Sequence, residues 1–247
     1  MPGGYQPRVR SLPAAHTRLD GMTITLRPGT TVMFTGDSIT DLWRPDGEDR
    51  YGYPLRIAGE WCFRHPDRPI TWLNTGNAGD KVSDLEARWQ ADVLDAHPDL
   101  VSILVGVNDN SWHTLDPSGH EISADEFAAG YDRLIASLGR TGTEIILIEP
   151  FLLPIRGVVE AGIHRDGDSG AVLIDDDVRR AWRTGLNPKI AAVRQLAIEY
   201  GTHLLAADGM FADLAARTGP EHWSEDGVHP TPAGHAALAD AWLRLVA

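Results

Sequence analysis

Gly36-Asp37-Ser38-Ile39-Thr40-Asp41 closes a short apolar run, and Asp226-Gly227-Val228-His229-Pro230 lies far downstream. A serine hydroxyl is a weak nucleophile until a base takes its proton, and histidine is the usual base. An aspartate three residues before a histidine lets both come from one loop. The carboxylate then fixes one ring nitrogen as N–H and leaves the other to accept the serine proton. Two further segments can supply the electrophilic half. Asn74-Thr75-Gly76-Asn77-Ala78-Gly79-Asp80 and Gly106-Val107-Asn108-Asp109 each follow an apolar stretch. Acyl transfer develops an oxyanion, for which backbone N–H groups and an asparagine amide are suitable donors. Glycine at position 79 lets the backbone approach a substrate closely. Each piece alone has a plainer reading. Asp37 and Ser38 suit a helix cap, Asp-x-x-His suits a surface loop feeding a helix, and Asn-Gly pairs suit turns.

The elements between these segments decide whether they meet. Residues 31–36, 70–74, 100–106 and 144–149 read as buried strands, and His203-Leu204-Leu205-Ala206 as a fifth and weaker one. Helical periodicity fills the gaps. Ser83-Asp84-Leu85-Glu86 has a capping-box pattern, with Leu85, Trp89 and Val93 on one face. Residues 124–138 repeat that spacing through Phe127, Tyr131, Leu134 and Leu138. Residues 175–200 predict a helix kinked or broken near Gly185-Leu186-Asn187-Pro188. Thr231-Pro232 opens a last helix with Leu238, Trp242 and Leu245 on one face. Strands alternating with helices imply a parallel sheet covered on both sides. The four chemical segments all follow strands or flank the last helix, so they are expected at one sheet edge, where open α/β folds bind ligands. Residues 1–30 read as an arm on the core with a strand near 22–26, and 31–247 as one domain. Residues 151–173, punctuated by four glycines, read as a long loop insertion.

Bulk properties narrow the function classes. The chain has 247 residues and a net charge of −13, which disfavours sequence-independent binding to nucleic acid or to anionic membrane. It contains no apolar run of spanning length, and residues 1–20, with their charges and prolines, lack the apolar core expected of a secretory signal. The single cysteine, Cys62, fits a reducing cytoplasm and is expected to be a buried thiol between Trp61 and Phe63. Gly76-x-x-Gly79 lacks the rest of a dinucleotide fingerprint. Ten histidines without a paired helical spacing give little support for a zinc site, and no cofactor is expected.

Four ordered blocks, Gly36-Asp37-Ser38-Ile39, Gly79, Gly106-Val107-Asn108-Asp109 and Asp226-Gly227-Val228-His229-Pro230, give the chain its resemblance to the SGNH hydrolases, or GDSL esterases and lipases. The resemblance implies a flavodoxin-like three-layer α/β/α sandwich with a five-stranded parallel sheet. It implies Ser38 as nucleophile, His229 as general base and then acid, and Asp226 as the orienting carboxylate. It also implies an oxyanion hole from the Ser38 and Gly79 N–H groups and the Asn108 side chain. Ile39 stands where the family's name has leucine. Asp37-Ser38-Ile39-Thr40-Asp41, Ala87-Arg88-Trp89 with Asp92, and Gly106-Val107-Asn108-Asp109 followed by Trp112 resemble bacterial carbohydrate acetylesterases.

Trp43, Tyr51, Tyr53, Trp112 and Trp223 lie near these blocks, either as a platform for sugar rings or as ordinary packing. Asp37 and Asp109 join Trp43, Trp112 and Trp223 as candidate substrate-binding residues. Asp41, Asp80, Asp84 and Asp109 read as a solvated acidic face, and His222 and His235 as capping or surface groups. The leading expectation is an esterase removing acetyl groups from an acetylated oligosaccharide, with a homo-oligomer permitted. A lipase, lysophospholipase or thioesterase is the alternative within the family. A non-catalytic carbohydrate-binding protein is the rival from another class.

Overall fold

Successive residues of a strand face opposite sides, and β1 (Thr31–Gly36) has apolar residues for both. Val32 and Phe34 join one core, while Met33 joins the other. The computed structural model describes residues 23–41, 52–110, 121–160 and 171–247. Within them the same alternation recurs in β3 (Leu100–Leu104) and β4 (Glu144–Ile148). Leu100, Leu104, Ile146 and Ile148 face one side; Val101, Ile103, Ile145 and Leu147 face the other. Such two-faced strands need cover on both sides, and they receive it.

With β2 (Thr71–Asn74) and β7 (His203–Leu205), the strands form a parallel sheet in the order β2-β1-β3-β4-β7. One layer holds α2 (Tyr53–Arg64), α6 (Ala207–Thr218) and α7 (Pro232–Leu243), through Ile57, Trp61, Phe211, Leu238 and Trp242. The other holds α3 (Val82–Trp89), α4 (Ala124–Leu138) and α5 (Asp176–Tyr200), through Leu85, Phe127, Leu134 and Val193. The expected three-layer sandwich with five parallel strands is what forms. The Trp242 indole donates to Ser102 Oγ at 3.1 Å, which pairs the hydroxyl that β3 carries among apolar neighbours.

Order β2-β1-β3 reverses the chain's direction of travel around β1, so the C-terminal end of β1 is a topological switch point. Ser38 lies there, on the single-turn helix α1 (Ser38–Asp41). The turn from β1 into α1 depends on Gly36. Its φ is +153°, and a Cβ at this position would sit 2.0 Å from the Leu104 carbonyl oxygen.

Several expectations change. The helix over Asp176–Tyr200 runs through Pro188 without a break. Proline removes one hydrogen bond, while packing of Leu186, Ile190, Val193 and Leu196 carries the helix across the gap. α3 starts at Val82, and its capping interactions centre on Lys81, whose N–H reaches Asp84 Oδ2 at 2.9 Å. The 151–173 insertion contains an antiparallel hairpin of β5 (Gly157–Glu160) and β6 (Ala171–Ile174). Cys62 is exposed, because Trp61 turns inward on α2 and its two neighbours turn out. α6 had no sequence expectation, since its alanine-rich face is weakly amphipathic. α7 ends at Leu243, so Leu245 lies beyond it. The expected strand at 22–26 is a parallel bridge between Ile24 and Val246.

Replacing Gly36 by alanine therefore forces β3 and β1 apart. Urea denaturation of Gly36→Ala is expected to show a loss of about 3 kcal/mol, the upper end of overpacking costs.

Candidate active site

Local hydrogen bonds arrange the Asp226 loop. Asp226 Oδ1 accepts the backbone N–H groups of Val228 and His229 at 2.8 and 2.7 Å. Its Oδ2 is thereby aimed at the ring, and meets His229 Nδ1 at 2.6 Å. Buried Ser224 ties the loop's two ends: its Oγ accepts the Gly227 N–H at 2.9 Å and donates to the His229 carbonyl at 2.8 Å. The loop closes through the Thr231 N–H, which donates to the Trp223 carbonyl at 3.0 Å, and α7 follows at once. A second fastening comes from the segment after β4, where the Leu153 N–H donates to the Gly227 carbonyl at 2.8 Å.

With Nδ1 paired to a carboxylate, His229 presents Nε2 across the sheet edge to Ser38 Oγ, 2.9 Å away. Asp37 caps α1, accepting the Ile39 N–H on Oδ1 at 3.0 Å, and leaves Ser38 half-buried at the helix start. Thus both readings of this motif hold together: Asp37 caps, and Ser38 faces the imidazole.

The loops after β2 and β3 are fastened to the same edge. Asn77 N–H donates to the Gly36 carbonyl at 3.0 Å, and Ala78 N–H to Asp41 Oδ2 at 2.9 Å. Arg88 reaches Asp80 Oδ2 at 2.8 Å, Asp92 Oδ2 at 2.6 Å and the Gly36 carbonyl at 3.3 Å. Asn108 Nδ2 donates to the Asp80 carbonyl at 3.1 Å, so the two loops hold each other. Gly79 is exposed, with φ +81° and open space where a Cβ would stand. Among the described residues, no hydrogen bond occupies the N–H of Ser38 or Gly79. Two unspent donors beside a hydroxyl and a buried amide are what a developing oxyanion requires.

Charge in this edge is arranged in pairs pushed apart. Burial lowers the affinity of His229 for a proton, yet the Asp226 carboxylate outweighs it and raises the imidazole above its usual range. Asp226 is likewise raised by burial but ends below the usual carboxylate range, because His229 and two backbone N–H groups favour its anion. Asp37 and Asp109 go the other way. Burial raises Asp37 to about 7 against the Ile39 N–H and His229, with Asp109 and Asp80 adding to the rise. Burial raises Asp109 to about 6 against the Val82 N–H, Lys189 and Lys81. Asp37 Oδ2 has no hydrogen-bond partner among the described residues.

Residues 34–237 match the GDSL-like lipase/acylhydrolase family. The chain belongs to that family. It is 31% identical over 226 residues to an acetylxylan esterase of Geobacillus stearothermophilus, covering 87% of this chain and 93% of that protein. The crystal structure of that species' acetylxylan esterase Axe2 superposes with a TM-score of 0.72 at 30% identity, over 89% of this chain and 95% of the other. A Parabacteroides merdae protein named for its likeness to GDSL lipases gives a TM-score of 0.75 at 27% identity, over 91% and 98%. This GDSL-family chain is a carboxylic ester hydrolase.

Ser38, Asp226, His229, Gly79 and Asn108 all lie at the C-terminal edge of the sheet in this GDSL-family fold. Asp37 and Asp109 lie beneath it, fully buried, as does Asp80; these are not a solvated face. They could not be separated from exposed Asp84 by composition, since only the fold shows that loops cover them. Tyr53 is core, accepting or donating to Thr40 Oγ1 at 3.1 Å. His235 is also buried rather than superficial: its Nδ1 accepts the Tyr53 N–H at 3.2 Å, and burial followed by the charge of His229 lowers it to about 3. Trp223 is half-buried, its indole N–H donating to Thr218 Oγ1 at 2.8 Å. Trp43, Tyr51 and Trp112 lie outside the described residues. Ser224 organises the site without an obvious sequence signal, although it sits two residues before Asp226; Arg88, which ties Asp80 to Asp92, belongs to the Ala87-Arg88-Trp89 block already singled out with Asp92.

Two measurements follow from this geometry. A rate that needs neutral imidazole rises with pH through the His229 pKa, so the inflection is expected above the ordinary histidine value. Asp226→Asn removes the group that raises it, and should move the inflection down while cutting kcat by about 10³–10⁴-fold. Ser224→Ala leaves the Gly227 N–H and His229 carbonyl without their shared partner. A stability loss of about 1–3 kcal/mol in urea denaturation is expected.

Proposed function

We propose that the chain is a metal-independent serine esterase in which Ser38, His229 and Asp226 act as the catalytic triad. The hydrogen-bonded series Ser38 Oγ to His229 Nε2 at 2.9 Å and His229 Nδ1 to Asp226 Oδ2 at 2.6 Å carries this reading. His229 takes the Ser38 proton as Oγ attacks the ester carbonyl carbon. The carbonyl oxygen becomes an oxyanion, held by the N–H groups of Ser38 and Gly79 and by the Asn108 amide. His229 then gives the proton to the departing alkoxide, releasing the alcohol and leaving an acyl-Ser38 ester. Water, deprotonated by His229, attacks that ester, and return of the proton to Ser38 frees the carboxylic acid. Asp226 stays ionised throughout and stabilises the transient imidazolium.

The proposed substrate is a short acyl ester, acetyl, on a carbohydrate. The acetylxylan esterase relative supports it, and alanine variants of Axe2 at a serine and at a histidine are described as catalytic mutants of that enzyme. A non-catalytic carbohydrate-binding role has no need for this hydrogen-bonded series.

Purified protein and Ser38→Ala assayed side by side on p-nitrophenyl acetate test the mechanism. The variant should lose roughly 10⁴–10⁶-fold in kcat, and equal rates would overturn the assignment. A series of p-nitrophenyl esters should give its highest kcat/KM at acetate. A maximum at long acyl chains would place the enzyme with the lipases and thioesterases instead.

A further inference from the structure

Hydrogen bonds from one side chain converge on the segments that carry the proposed oxyanion donors. Arg88, in the last turn of α3, donates through Nε to Asp80 Oδ2 at 2.8 Å and through Nη1 to Asp92 Oδ2 at 2.6 Å. Its Nη2 reaches the Gly36 carbonyl at 3.3 Å. Gly36 stands two residues before Ser38, and Asp80 directly follows Gly79. The Asp80 carbonyl in turn accepts the Asn108 amide at 3.1 Å. One planar guanidinium therefore ties the strand end that carries the serine to the loop that carries Gly79. Through Asp80 it also ties in Asn108.

Asp80 is the joint of this arrangement. Gly79 has no side chain to fix its peptide, and its φ of +81° is open to few other residues. Its neighbour supplies the anchor: buried Asp80 accepts Asn77 Nδ2 on Oδ1 at 2.5 Å and Arg88 on Oδ2. A carboxylate in that setting is costly without a cation, and Arg88 supplies one. The support of Arg88 is itself uncommon. After Trp89 the helix passes into a π-helical turn, Gln90–Leu94, and Asp92 within that turn holds Nη1. Such turns are rare and are frequent at functional sites.

We propose that Arg88 is a positioning residue for the oxyanion hole: acting through Asp80, it sets the Gly79 N–H and the Asn108 amide against Ser38. The inference deepens the esterase reading above and rests on it. Arg88 acts at one remove from the reacting atoms. Its effect is greatest when the carbonyl oxygen takes up charge, so it belongs to the transition state more than to substrate binding. Lysine is no equivalent, because a point charge on a flexible stem cannot hold three acceptors in one plane.

Removing Arg88 alone leaves the Asp80 charge buried without this partner. The test therefore uses Arg88→Met combined with Asp80→Asn, beside Arg88→Lys. Each variant is assayed on p-nitrophenyl acetate with methylboronic acid as inhibitor. Ser38 Oγ adds to the boron while His229 takes the proton, which places a boronate hydroxyl where the oxyanion would stand. Displaced donors should lower kcat about 10–100-fold in the paired variant. KM should change by less than about twofold, because acylation and deacylation both pass through an oxyanion. The inhibition constant should rise in step with the fall in kcat/KM. Arg88→Lys should lie between the paired variant and the wild type. An inhibition constant does not depend on how much of the enzyme is folded, so a merely structural role would lower kcat and leave it unchanged. That result, wild-type kinetics in either variant, or a rise in KM alone would overturn the positioning role. Absence of turnover by the wild-type protein would instead overturn the esterase reading beneath it.

Discussion

The Asp226 carboxylate is the group on which this site turns. One oxygen is consumed by two consecutive backbone N–H groups, which winds residues 226–229 into a fixed turn. The other is left to the imidazole, so orientation of the ring is settled by the chain's own folding rather than by the serine opposite. A charged acceptor in a buried setting makes each of these bonds stronger than a neutral one. The same arrangement holds Asp226 ionised and lifts His229, setting a base with more proton affinity than free imidazole beside a hydroxyl. Remove the carboxylate and the turn, the tautomer and the basicity all change together.

Around that centre, the edge is held by polar ties between its loops. Arg88 bridges the end of β1 and the loop after β2; Asn108 bridges that loop and the turn after β3. Beneath them sit three buried carboxylates, Asp37, Asp80 and Asp109. Such groups are costly away from water unless paired. Asp80 is paired by Arg88, while Asp109 is eased by the Val82 N–H and the charge of Lys189. Asp37 is the least compensated, and it adjoins the nucleophile. Strain of this kind concentrates where a site must be kept open for a ligand rather than closed by its own contacts.

The sheet was legible because every strand places apolar residues on both faces, a pattern few other structures produce. The candidate site's segments could be brought together from the sequence because three of them follow successive parallel strands, which end at one edge, and the fourth immediately precedes the last helix. What escaped was set by tertiary context. Pro188 looked like a break, but a helix buried along one side tolerates a missing hydrogen bond. Cys62 looked buried because its neighbours are aromatic; the helix turns Trp61 inward and leaves Cys62 and Phe63 outside. His235 and Asp109 looked superficial because polar residues usually are, yet each found a backbone partner inside. Ser224 carries no motif at all, and its role arises only from the closure of a loop.

The pairing of Ile24 with Val246 bears on how the molecule resists force. The two segments run parallel and share three hydrogen bonds: Ile24 N–H to Leu245, Ala247 N–H to Ile24, and Leu26 N–H to Ala247. Tension applied upstream of Ile24 and at Ala247 pulls the two segments along their length in opposite senses. All three bonds are then loaded together in shear, instead of opening singly as in a zipper. Leu26 and Val246, both buried in the core, must slide at the same moment. The seam thus acts as a mechanical clasp, placed so that load meets it before reaching β1 and the serine beyond.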